Sequence, residues 1–397
     1  MHPSSPAADG ASTRRPWAAV AAIALATFCV VTTEMLPVGL LTPIADALRT
    51  TTGTAGLMIS LPALLAALFA PLVVIAARGM DRRTILCALL GLLVLANLAC
   101  AMAPSLGWML AARVLVGFCM GGIWAIAGGL AARLVPAAAT GLATSIIFGG
   151  VAAASVLGVP LAALIGEFAG WRWAFAAMAL LGALVLALHL AVVPPLPAAG
   201  ATRLRQFGEQ LGNRRLQAGL LLTLLLVAAH FMAFTFVRPL LLSVAPFDAQ
   251  WLGALLFAYG IAGIAGNFLA GLSAARRSAA TVAAIALGLL LVPLLFLTLG
   301  GTFAGAAAAL LLWGLAYGGV SVGLMTWMMQ AAPRAVEVAS ALYVGVFNIG
   351  IALGAWAGGR VVDAAGLPAT LWLAGGLAGL ALLLSLALAR SGSQAMR

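Results

Sequence analysis

The chain has 397 residues, of which 64% are hydrophobic and 7% charged, with a mean hydropathy of +1.18. No water-soluble core requires that balance, so lipid is the expected medium and a polytopic helical membrane protein the expected class. The formal net charge of +11 comes from 20 basic residues, all Arg, standing singly or in pairs between apolar runs. That distribution fits membrane orientation rather than nucleic-acid binding.

Residues 1–16 are polar and end in Arg14-Arg15-Pro16. The apolar run behind them is too long for a signal-peptide core and has no obvious cleavage site, so it is expected to be retained. It holds the stretch around which the chain is organised, Val31-Thr32-Thr33-Glu34-Met35-Leu36-Pro37. A carboxylate at that depth costs about 2.5–3.5 kcal/mol on insertion scales, which makes Glu34 a functional candidate. The other eight of the nine acidic residues fall in tails, loops or helix ends.

Apolar runs long enough to span a bilayer recur behind it. They predict helices near 17–43, 54–77, 84–103, 107–132, 140–166, 172–194, 217–243, 250–273, 279–300, 303–329, 337–362 and 368–389. Arg49, Arg172 and Arg360 then fall on one side, Arg113 and Arg238 at depth, and the remaining fifteen arginines on the other side. The positive-inside rule puts those fifteen in the cytoplasm, with both termini. Cys29, Cys87, Cys100 and Cys119 all lie inside predicted helices at no metal-ligand spacing, and read as packing residues rather than disulfides.

One loop is longer than the rest. It carries Pro194, Pro195, Pro197, four Arg and Glu209, and divides the chain into two halves of six helices. The expected organisation is a cytoplasmic tail (1–16), a six-helix bundle (17–194), a cytoplasmic linker (195–216), a second six-helix bundle (217–390) and a tail (391–397). The halves read as repeats. Gly150, Ala154, Gly158, Ala162 and Gly166 form a small-residue ladder in the fifth helix, and Gly350, Gly354 and Gly358 form one in the eleventh. Such ladders let helices approach closely in lipid, and a gating role is the alternative to plain packing. Two parallel six-helix repeats are an arrangement found in transporters with a site near mid-membrane.

Several ordered stretches carry a family likeness. They are Glu34 to Ala45 in the first helix, Asp81-Arg82-Arg83 after the second, Arg113-Val114-Leu115-Val116-Gly117 and Gly121-Gly122-Ile123-Trp124 in the fourth, and Gly158-Val159-Pro160 and Gly170-Trp171-Arg172 around the fifth. The second half adds Phe234 to Pro239 and Trp313 to Tyr317. With these the chain resembles a major facilitator superfamily transporter of the drug/proton-antiporter type, and within it is most similar to bacterial purine-ribonucleoside exporters, with sugar and drug exporters next. It departs from the family pattern at two places. Ala77 stands where the inner-loop motif has Gly and the loop is shortened, and Val159 separates Gly158 from Pro160.

The resemblance implies an all-α integral membrane protein of twelve transmembrane helices in two pseudo-symmetric bundles. It also implies a role in proton transfer for Arg113, a motif role for Asp81, Arg82 and Arg83, and gating by Gly150, Gly158 and Pro160. Glu34, a group that can be either protonated or loaded, is the proton-coupling candidate with Arg113. The alternative is a Glu34 permanently paired with a buried Arg as structural glue. Snorkelling to the headgroups is the alternative for Arg113 and Arg238.

Aromatic and amide side chains can grip an uncharged or heterocyclic solute by stacking and hydrogen bonds. Trp124, Phe148, His230, Phe231, Phe234, Tyr317, Trp327, Tyr343, Phe347 and Asn348 are candidates of that kind, with Arg238 in the layer of Glu34; packing or lipid contact is the alternative for each aromatic. No phosphate-binding loop, nucleophile–base pair or metal-ligand cluster appears, so neither ATP, a cofactor, a metal nor an enzyme activity is expected. The expected protein is a monomeric proton-coupled exporter of a small organic solute in a bacterial inner membrane, with protons and lipid as its other partners. A multidrug or sugar pump and an uncoupled facilitator or importer remain alternatives.

Overall fold

The computed structural model describes residues 9–76, 80–127, 130–136, 139–197, 204–244 and 250–394. Twelve helices in it are long and apolar enough to cross a membrane. In the first half they are α1 (Asp9–Ala47), α2 (Thr52–Ala70), α3 (Arg82–Ala101), α4 (Leu106–Ala127), α5 (Leu142–Phe168) and α6 (Trp171–Val192). In the second they are α7 (Arg214–Phe234), α8 (Trp251–Ala274), α9 (Arg276–Leu299), α10 (Phe303–Ala331), α11 (Val336–Ala365) and α12 (Leu367–Gln394). A short helix, Leu204–Leu211, occupies the linker. No strand occurs among the described residues.

Proline explains where this pattern departs from twelve straight rods. The expected seventh helix, 217–243, is broken. α7 stops at Phe234, and a separate turn of helix runs from Val237 to Val244. Pro239 cannot donate to the carbonyl of Thr235 and its ring crowds that turn, so the helix yields there. In α5, residues Ala154–Gly158 form a π-helical turn, after which Val159-Pro160 continues the helix. A wide turn is one way a helix absorbs a proline without ending. α8 and α9 run on as one assigned helix, with the bend confined to Arg277 (φ −142°, ψ 61°).

In lipid the apolar side chains gain nothing by clustering, so close backbone packing holds helices together, and the glycines show where. In α5, a Cβ on Gly150 would lie 2.2 Å from the Ala24 carbonyl of α1, and one on Gly158 would lie 2.5 Å from the Thr32 hydroxyl. In α11, a Cβ on Gly354 would lie 2.5 Å from the Ala228 carbonyl of α7. α4 meets α2 in the same way, Gly117 on the Pro62 carbonyl and Gly121 on that of Ala66. α10 meets α8 with Gly314 on the Tyr259 carbonyl and Gly318 on that of Gly263. Gly314 and Gly318 follow Gly117 and Gly121 by 197 positions, and Tyr259 and Gly263 follow Pro62 and Ala66 by the same 197. The repeat therefore preserves which residues touch, not only composition.

Each half has its own buried apolar core, and each lends residues to the other. Phe236 joins the core of the first half, whereas Val38, Ile59, Ala63, Val159 and Ala163 join that of the second. These exchanges lie toward the end of the bundle remote from the chain termini. Large apolar residues such as Leu95, Phe168, Trp173, Leu272 and Leu383 stay exposed on the outer faces of the helices, as lipid contact requires.

Overpacking tests these approaches. Gly354→Val is expected to lower the Tm in detergent, at about 1–3 kcal/mol for a side chain forced into a packed interface. Gly345→Ala, in the same helix and with nothing within 4 Å of its added carbon, is expected to leave the Tm near that of the native chain.

Candidate functional site

α1 carries Pro37 and Pro43 without ending. A proline has no N–H, so each leaves the carbonyl four residues earlier without its helical partner. Those carbonyls belong to Thr33 and Gly39. In α2, Pro62 frees the carbonyl of Met58 in the same way. In the absence of water, each such acceptor must find another donor.

Two arginines supply those donors. Arg113 of α4 is fully buried, which rules out snorkelling. Its Nε donates to the Met58 carbonyl at 2.7 Å, Nη1 to that of Thr33 at 2.7 Å and Nη2 to that of Glu34 at 2.8 Å. Arg238, in the turn after α7, donates from Nη1 to the Gly39 carbonyl at 3.0 Å and lies 3.6 Å from Glu167. All three proline-freed carbonyls are thus bonded to a guanidinium.

The consequence for Glu34 is direct. Arg113 touches its backbone, not its carboxylate. Glu34 is 5% exposed, and its Oε1 is buried with no hydrogen-bond partner. Asn97 of α3 reaches the adjacent Thr33 hydroxyl at 3.1 Å, and its own Oδ1 is also unpartnered. Met35, the next residue, packs into the core of the second half, so this part of α1 stands at the seam between the bundles.

His230 follows Glu34 by 196 positions, as Ala228 follows Thr32, so the two groups occupy matching places on α1 and α7. Its ring lies in a column of four. Tyr259 stacks on Phe234, Phe234 on His230 at 4.6 Å, and His230 on Tyr317 at 3.3 Å. The Trp313 indole donates to His230 Nδ1 at 2.9 Å, which leaves the ring proton of neutral His230 on Nε2. A cavity of about 10 Å3, near the lower limit for one water, adjoins His230 between α7, α9, α10 and α12.

The remaining candidates are dispersed. Trp327 donates to the Arg215 carbonyl at 2.9 Å, near the start of α7 and away from Glu34. Asn348 is bonded to the Val344 carbonyl of its own helix. Trp124 is half-buried against the core of the first half. The side chain of Phe148 lies outside the described residues. Asp81 caps α3, accepting from the amides of Arg83 and Thr84, and also accepts from the amide of Leu196 in the linker. The amide of Arg82 donates to the Leu196 carbonyl, and the guanidinium of Arg83 to that of Leu190. Asp81 and Arg82 therefore tie the linker to the first half, and Arg83 ties α3 to the end of α6. Gly150 and Gly158 pack on α1, and Pro160 follows the π turn. No group of His, Cys, Asp and Glu able to hold a metal occurs among the described residues. Sequence reasoning named Tyr317 among the aromatic candidates but passed over Tyr259, which completes the column, and Trp313, which bonds His230. The signal for three of the four arginine bonds was a proline four residues after the acceptor; the Glu34 carbonyl, followed there by Val38, carried none.

Twelve spanning helices in two repeats, with an unpaired carboxyl at the seam between them, define a transporter architecture. A model of the Major Facilitator Superfamily matches residues 23–343, and the chain belongs to that family. It is 34% identical over 370 residues to the purine ribonucleoside efflux pump NepI of Salmonella paratyphi A, covering 93% of each chain. To the protein of the same name from Salmonella typhimurium it is 33% identical, with the same coverage. Among solved structures it is similar in fold to a bacterial homologue of the human lysosomal transporter Spinster in an inward-facing and occupied conformation. The TM-score is 0.77 at 16% identity, over 94% of this chain and 96% of the other. The protein is a multi-pass membrane transporter rather than an enzyme.

Arg113→Lys is expected to destabilise the protein, because one ammonium cannot serve three carbonyls in the directions a guanidinium does. Each acceptor left bare costs roughly 1–3 kcal/mol. Pro62→Ala returns an amide donor to the Met58 carbonyl, so it is expected to recover part of that loss. A thermal-unfolding double-mutant cycle reads the coupling.

Proposed function

We propose that the protein is a proton-coupled exporter that exchanges protons for a small organic solute, with purine ribonucleosides the first candidates. The observation that carries the coupling is the state of Glu34, buried with an unpartnered oxygen while the nearest guanidinium is committed to backbone carbonyls. A buried acceptor without a donor is costly, by roughly 1–3 kcal/mol or more when charged. A proton, or a donor on the solute, relieves that cost. Antiport needs such a group, satisfied by one ligand or the other and by neither permanently. A purely structural glutamate would be paired.

The solute class rests on the relatives that match over 93% of the chain, which are named as purine ribonucleoside efflux pumps. The rings of Phe234, His230 and Tyr317, stacked on one another in this closed arrangement, have the right chemistry to exchange that stacking for a planar base. In this reading the two repeats rock about the seam, Glu34 exchanges its proton as access alternates, and Arg113 acts by holding α1 and α2 in place. Energy comes from the membrane potential and proton gradient. At about 2.3 kcal/mol per charge per 100 mV, one coupled charge sustains roughly a forty-fold solute gradient. The arginine distribution supports cytoplasmic termini, the bacterial relatives support an inner-membrane location, and the protein acts as a monomer.

Glu34→Gln keeps the shape of the side chain and removes its proton chemistry. In proteoliposomes it is expected to insert and fold as the native protein does, while pH-gradient-driven export of radiolabelled inosine or guanosine falls to background. Native transport kinetics in that variant would sink the assignment. Exchange that persists without pH dependence would point to an uncoupled facilitator in which Glu34 contacts the solute.

A further inference from the structure

Two carboxylates at matching places in the repeats reach across to the opposite half. Glu167 lies at the end of α5 and Asp363 near the end of α11, 196 positions later, the separation that also relates Gly158 to Gly354. Glu167 approaches the guanidinium of Arg238 at 3.6 Å, and that guanidinium also holds the Gly39 carbonyl of α1. Asp363 sits over the first turn of α2. It accepts from the Gly53 amide at 3.0 Å and lies 2.7 Å and 3.3 Å from the hydroxyls of Thr51 and Thr54. Beneath it the backbones of the two halves are in contact. A Cβ on Gly53 would lie 2.1 Å from the Gly359 carbonyl, and one on Gly359 would lie 2.3 Å from that of Gly53.

We propose that Glu167 and Asp363 are a pair of latches that hold the face remote from the chain termini shut, and that both must release for that face to open. The inference rests on the alternating-access part of the reading above, but not on its solute or on Glu34. The two latches use different chemistry. One is an ion pair. The other is a carboxylate on the Gly53 amide and the Thr51 and Thr54 hydroxyls at the start of a helix, where negative charge is favoured. Each joins a helix of one half to a helix of the other, so each is lost when the halves separate there. Neither is deeply buried: the Glu167 side chain is 37% exposed, and Asp363 is exposed. Pairs in such surroundings are individually weak. Weak bonds made in duplicate suit a gate that must close firmly and still reopen in every cycle.

The test is hydrogen–deuterium exchange of the full chain in lipid nanodiscs, without solute. Asp363→Ala and Glu167→Ala are each expected to raise exchange several-fold in peptides covering residues 52–60 and 351–363. The double variant is expected to raise it by about tenfold or more, a shift in the closed–open balance. Peptides at the start of α3 are expected to stay as in the native chain, as is every peptide in Asp46→Asn, which removes a nearby acid outside both latches. Should the alanine variants fail to fold, Asp363→Asn and Glu167→Gln take their place, with smaller increases expected. Unchanged exchange in the double variant overturns the proposal. So does failure of the isosteric variants to fold, which would make the carboxylates supports of the fold rather than of a gate. Because exchange is read without solute or pH gradient, failure here is separate from failure of the Glu34 assignment.

Discussion

A backbone carbonyl in a water-free interior must be given a donor, and this constraint organises the centre of the molecule. Pro37, Pro43 and Pro62 each withdraw a donor from α1 or α2. Arg113 and Arg238 return donors to the carbonyls of Thr33, Met58 and Gly39. The arrangement accounts for a fully buried arginine without an anionic partner at bonding distance: its charge is spread over three carbonyl dipoles. It also accounts for the freedom of the Glu34 carboxyl, since the guanidinium that would otherwise neutralise it is occupied by the main chain.

The repeats share a scaffold and differ in chemistry. Close glycine contacts recur with a nearly constant offset, from Gly117 on the Pro62 carbonyl to Gly314 on that of Tyr259, and from Gly158 on the Thr32 side chain to Gly354 on the Ala228 carbonyl. The polar groups at the seam beside Glu34 do not recur. Glu34 is matched by His230, and Arg113, taken 197 positions on, by Leu310. The first half therefore carries a charged clamp and a bare carboxyl, and the second an aromatic stack bonded through a histidine. Backbone contact fixes how the bundles are built, while the residues at the seam are free to differ and to divide the functional work.

The fold was legible because its signals are one-dimensional. Spans of apolar residues, arginine asymmetry and spaced glycines report on the lipid boundary and on close packing without reference to any distant residue. The family likeness added the expected layout. Less could be read of the site. Arg113 and Arg238 were placed at depth from sequence, but what they bond depends on which carbonyls lack donors, and on prolines in other helices. The break in α7 at Thr235 and the π turn before Pro160 moved side chains off the faces that a straight helix would give them. Trp327 illustrates the limit: a tryptophan on a cavity-lining helix, it is held at the start of α7 by the Arg215 carbonyl. Asp363 and Glu167 looked like ordinary loop-end acids, because their partners stand on the other bundle.

Gly39 has a further implication. Its carbonyl has no helical partner and depends on Arg238, which belongs to the other half. When the bundles part at that end, the oxygen must be wetted, as must the carboxylate oxygens of Asp363 and Glu167 that face Thr51 and Arg238 in the closed form. Opening there is therefore a hydration reaction as much as a mechanical one. Its equilibrium should respond to the chemical potential of water, with crowding osmolytes excluded from the cleft holding the transporter in its drier form.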